Sequence, residues 1–66
     1  MFHVTLEIVD LERDDVDVSC FTVFDLEAAH DIRLNAHLQY DAHHSEIDVT
    51  DDDNNIRILV VGNNIL

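Results

Sequence analysis

A chain of 66 residues allows one compact domain, 1–66, which would bury only ~60% of the surface its unfolded form exposes. Fifteen Asp and Glu against three Arg (Arg13, Arg33, Arg57), with no Lys, give a formal charge of −12, the wrong sign for direct binding of DNA or RNA. Hydrophobic residues at 47%, a single glycine and no proline argue against a disordered acidic tail, and no apolar run exceeds Ile58 to Val61, too short for a signal peptide or a membrane span.

The first segment alternates: Phe2, Val4, Leu6 and Ile8 share one face of an extended chain, with His3, Thr5 and Glu7 on the other, the pattern of a half-buried strand. Glu12-Arg13-Asp14-Asp15 reads as a turn, and Val16 and Val18 alternate with Asp15, Asp17 and Ser19 in a second strand. Together they predict a hairpin.

The middle, Asp25 to Glu46, carries two conflicting signals. Leu, Ala, Glu and Gln are plentiful there and Ile32 is its only β-branched residue, which favours helix. Ile32 to Tyr40, however, alternates apolar and polar without a break, which favours strand. The reading that accommodates both is a short helix near Asp25 to His30, N-capped by Asp25, followed by a strand from Ile32 to Tyr40.

Further on, Ile47 and Val49 precede Asp51-Asp52-Asp53-Asn54-Asn55, and Ile56, Ile58 and Val60 follow it. This predicts a second hairpin, its turn suited to Asp and Asn, which tolerate left-handed backbone. Leu59 and Val61 are apolar too, so this last strand needs cover on both faces and belongs in the centre of the sheet. The expected fold is α+β, a small antiparallel sheet of four to five strands with one helix; an all-β meander is the alternative.

No catalytic constellation is present, so the chain is not expected to be an enzyme, and no cofactor is expected. Ser19 and Ser45 lack nucleophile-elbow glycines, there is no Gly-rich phosphate loop, and Cys20 has no basic neighbours to activate it. As the single cysteine, Cys20 also cannot form an intrachain disulfide, which suits a reducing compartment and a cytoplasmic location. Asp51 to Asn55 has donors at the first, third and fifth places of a calcium loop, but Ile56 occupies the glycine position and Gly62 the bidentate Glu position. The histidines His3, His30, His37, His43 and His44 match no zinc spacing. A His/Asp metal-binding module therefore stands only as an alternative, and no metal site is assigned.

The acid is concentrated. Glu12, Asp14, Asp15 and Asp17 cluster at the first hairpin, and Glu46, Asp48, Asp51, Asp52 and Asp53 at the second. Carboxylates two residues apart on a strand project to one side about 6.6 Å apart, close to the spacing of successive backbone phosphates, and side-by-side hairpins would merge the clusters into one partner-binding patch. A charge of magnitude ~2–8 suffices for solubility, and more destabilises the compact state. The excess therefore calls for a reason: mimicry of nucleic acid, or adaptation to high salt. Five Asn and six Ile weigh against a salt-adapted proteome.

In size, charge and lack of chemistry, carried by Glu12-Arg13-Asp14-Asp15-Val16-Asp17 and Asp48-Val49-Thr50-Asp51-Asp52-Asp53, the chain resembles the DNA-mimic anti-defence proteins of phages and mobile elements, of anti-CRISPR and anti-restriction type. The resemblance is one of type; these families share no motif and no individual role is carried over. It implies an inhibitor in the host-cell cytoplasm whose partner is a basic nucleic-acid-binding protein, a CRISPR effector complex or restriction enzyme, blocked where Arg and Lys contact DNA.

Overall fold

A computed structural model describes residues 1–50 and 54–65. The chain runs β1 (Phe2–Asp10), β2 (Asp15–Val23), α1 (Leu26–Gln39), β3 (Tyr40–Val49) and β4 (Asn55–Asn64), an α+β fold in which one helix lies on a four-stranded sheet of order β2-β1-β4-β3.

Both expected hairpins form. β1 pairs antiparallel with β2 from Phe2 opposite Val23 to Asp10 opposite Asp15, and β3 pairs antiparallel with β4. The Asp10 carboxylate closes the first turn by accepting from the N–H groups of Glu12 at 3.1 Å and Arg13 at 3.3 Å. Asp14 supplies the left-handed residue, φ 52°, a conformation Asp and Asn adopt more readily than other side chains. Asn54 does the same at the start of β4, φ 54°.

The sheet is mixed rather than wholly antiparallel, because β1 and β4 run parallel, from His3 beside Asn55 to Asp10 beside Gly62. The direction follows from α1, whose 14 residues span about 21 Å. The helix carries the chain back along the sheet, so β3 starts at the end where β2 began and β4 then runs with β1.

The middle segment corrects the sequence reading. Asp25 caps the helix as expected, accepting from the Ala28 N–H at 2.9 Å, but the helix continues to Gln39 and no strand occupies Ile32 to Tyr40. The apolar alternation there is two helical pairs at i, i+4. Ala36 is buried with Ala29, and Ile32 is half-buried beside them, while Leu34 and Leu38 point away at 61% and 78% exposure. Period-two spacing thus serves two opposite helix faces. Tyr40, already extended at φ −130°, ψ 144°, caps the helix and opens β3 without a loop.

The core is Val4, Leu6 and Ile8 of β1, Ile56, Ile58 and Val60 of β4, and Ala29 and Ala36 of α1. The two alanines let the helix approach the sheet closely, and Arg33 ties it to β3 by donating to Ser45 Oγ at 2.8 and 3.1 Å. β4 is central, as its two apolar faces required. Its outward Leu59 and Val61 are half-buried, but among the described residues no second layer covers the face they occupy. Opposite Gly62, β3 bulges between Ala42 and His44. A Cβ at Gly62 would strike the Asp41 carbonyl oxygen and Ala42 Cα, so this site needs glycine for close backbone approach.

Candidate functional site

Strand alternation and the parallel β1/β4 pairing decide where the acid falls. Asp15 and Asp17 pair with Asp10 and Ile8, so they share the helix-side face of β2. Glu46 and Asp48 pair with Leu59 and Arg57, which places them on the open face of β3. Glu12 and Asp14 are exposed in the first turn. Asp51, Asp52 and Asp53 lie outside the described residues.

The hairpins do lie side by side, yet the two clusters do not merge. The first turn leaves the sheet beside Gly62, whereas β3 ends and β4 begins beside His3. Seven residues of strand, about 23 Å, separate those ends. β2 and β3 are also opposite edges, three strand spacings or about 14 Å apart. The expected single patch becomes two acidic sites on opposite edges and opposite faces.

The first is a hollow of about 170 Å³ bounded by Asp10, Asp15, Asp17, Arg13 and Tyr40. The Arg13 Nε lies 3.9 Å from an Asp10 carboxylate oxygen, so Asp10, with its side chain only 10% exposed, is partnered by one cation and two backbone donors. Asp15 and Asp17 have no ion pair among the described residues. The second hollow, about 90 Å³, is bounded by Glu7, Glu46, Asp48 and Arg57. Arg57 reaches Glu7 at 3.8 Å, and Glu46 meets His44 Nε2 at 3.0 Å.

Each hollow therefore holds three carboxylates and one arginine. Arg33, the third arginine, is engaged with Ser45. Sequence reasoning missed Asp10, Glu7 and Arg57. Glu7 and Arg57 stood at the polar positions of alternating strands, and Asp10 stood two residues before a turn, the spacing at which Asp bonds local backbone.

Among the described residues, no three His, Cys, Asp or Glu side chains converge closely enough to hold a metal ion. The histidines are dispersed: His43 Nε2 lies 3.1 Å from Asn63 Nδ2, while His3, His30 and His37 are exposed on β1 and α1. Among the described residues, no helix is long and apolar enough to cross a membrane.

The surface is apolar as well as acidic. Phe24 is 84% exposed, and Val16, Val18, Phe21, Leu34 and Leu38 are exposed as well. The Val16 and Val18 pair faces the open side of the sheet, opposite Val9 and Glu7. Compared with known protein families, curated proteins and solved structures, the chain matches none.

Proposed function

We propose that this protein is a nucleic-acid mimic, an inhibitor without catalytic activity that occupies the cationic DNA- or RNA-binding surface of a partner protein in the cytoplasm of a host cell. The partner class that fits is a basic nucleic-acid-binding protein, with a CRISPR effector complex or a restriction enzyme first among them by resemblance to anti-defence proteins.

The observation that carries this reading is the excess of acid over base on an elongated body. The molecule measures 35 × 18 × 16 Å. Over 35 Å a DNA duplex carries about 20 phosphates, and this chain carries 15 carboxylates against three arginines, all three of the latter engaged with oxygen atoms of their own chain. Asp15 and Asp17 lie along the β2 edge on the helix side of the sheet, and Glu46 and Asp48 along the β3 edge on its open side, so acid is presented on both faces of the body.

Salt adaptation would also supply acid, but exposed Phe24, Leu38, Leu34, Val16 and Val18 are poor material for a surface built only to hold water. Exposed apolar groups beside unpaired acid suit a protein partner.

The test is competition. A labelled duplex bound to a purified effector complex or restriction enzyme should be released as this protein is added, and release should weaken steeply with salt. Simultaneous, independent binding of duplex and protein to the same partner would overturn the proposal. Circular dichroism at roughly 0.1 M salt, where the screening length is ~10 Å, separates salt adaptation: a mimic is folded there, and a salt-adapted domain recovers structure only in molar salt.

A further inference from the structure

The two edges of the sheet are not equivalent. β3 carries a bulge between Ala42 and His44, a device that breaks the regular row of edge hydrogen-bonding groups. β2 has none: its nine residues pair with β1 in unbroken register, and it contains neither Pro nor Lys. Alternate residues of β2, Val16, Val18, Cys20 and Thr22, turn their N–H and C=O groups outward; the Val16 N–H is taken by Asp15 Oδ1 at 2.9 Å, and the rest form a template for one more strand.

Beside this edge, between β2 and α1, runs an apolar groove of about 190 Å³ bounded by Leu6, Ile8, Phe21, Ile32 and Ala36, with Asn35 and Gln39 at its polar rim. Phe21 lies on the helix-side face of β2, the face that also carries Asp15 and Asp17. The opposite face presents Val16 and Val18.

We infer that the β2 edge accepts an extended segment of the partner as a fifth strand, and that this segment is basic and apolar in alternation. The inference rests on the proposed function and specifies how the partner is held. An added strand would place two cations opposite Asp15 and Asp17 and an apolar side chain opposite Phe21 at the groove. In between, β-branched residues would pack on Val16 and Val18 from the other face. A second copy of this chain is the poorer occupant: β2 paired antiparallel with β2 about Ser19 would set Asp17 opposite Phe21 and Asp15 opposite Val23, leaving all four aspartates of the seam without a cation, which a basic strand supplies. Charge thus selects a basic strand at an edge that backbone geometry leaves open.

The experiment titrates the intact protein with a capped seven-residue peptide of leucine, valine, serine, valine, arginine, valine and arginine, followed by amide chemical shifts and hydrogen exchange. Shifts and new protection should map to Asp15–Phe21 and the groove. Exchanging both arginines for glutamates should abolish binding. Two further peptides, N-methylated at alternate residues in opposite frames, should differ, because only one frame removes the donors facing β2. Asp15→Asn with Asp17→Asn, which keeps the side-chain oxygen that accepts from the Val16 N–H, should weaken binding about tenfold, the sum of two exposed charge pairs. Glu27→Gln with Asp31→Asn, which removes two exposed charges from α1, should leave it unchanged.

Equal binding of both methylated frames, or shifts confined to β3 or α1, would overturn the inference. A peptide that docks on β2 while nucleic acid and the protein bind the partner together refutes mimicry and leaves the edge site standing. Competition that survives loss of both aspartates and Phe21→Ala refutes the edge site and leaves mimicry standing.

Discussion

The two inner strands bury the core, Val4, Leu6 and Ile8 of β1 and Ile56, Ile58 and Val60 of β4, whereas neither outer strand, β2 or β3, contributes a fully buried residue, and only β3 has its register fixed by a glycine-dependent bulge. β4 has helix above it and strands on both sides. β2 has β1 on one side, an incompletely filled groove above, and open water at its edge. Local stability follows buried apolar contact, so β2 docks onto a core that is complete without it. A protein with so few core residues can leave an edge strand available for recognition only where the rest of the sheet does not depend on it.

Substitutions can break this comparison. The largest effect is expected at Gly62, where any side chain meets the backbone of Asp41 and Ala42 rather than a movable side-chain tip. Gly62→Val should cost about 3 kcal/mol, the upper range for overpacking, and shift the urea midpoint without changing its slope. At the first hairpin, Asp10→Ala removes the acceptor for Glu12 and Arg13 N–H. Those donors sit in an exposed turn where water replaces the carboxylate, so the expected cost is about 1 kcal/mol. If Asp10→Ala proved as damaging as Gly62→Val, the core would depend on the first hairpin as much as on the second.

Much of this architecture is legible in the sequence. Alternation located β1, the Glu12 to Asp15 turn announced the first hairpin, Asp25 marked the helix start, and apolar Leu59 and Val61 placed β4 in the centre. The helix end was hidden because Ile32, Leu34, Ala36 and Leu38 satisfy strand alternation and two i, i+4 helical pairs equally. The parallel β1/β4 pairing was hidden because it joins segments some fifty residues apart, and no local pattern encodes it. The acidic residues were legible as two clusters but not as two edges. Separating Asp15 and Asp17 from Glu46 and Asp48 needs both the strand order and the face of each strand.

The smallest stability effect, and the sharpest functional one, comes from exchanging acids for amides on each edge. Asp14→Asn, Asp15→Asn and Asp17→Asn together remove three charges from the β2 side. Asn at position 14 tolerates the left-handed backbone as well as Asp does. Asp41→Asn, Glu46→Gln and Asp48→Asn remove three from the open face of β3. On the helix, Asp25→Asn, Glu27→Gln and Asp31→Asn remove three more while keeping a side chain that still caps the helix. All three sets should stay within about 0.5 kcal/mol of the parent, as surface changes do, with slight gains where self-repulsion is relieved. Partner binding should divide them. The β2 set loses most, since it removes charge from the edge where a strand is added, the β3 set loses less and flattens the salt dependence, and the helix set loses least. Equal losses in all three would mean that total charge attracts the partner without a preferred edge, and a β3 set more damaging than the β2 set would move the docking site to the opposite side of the sheet.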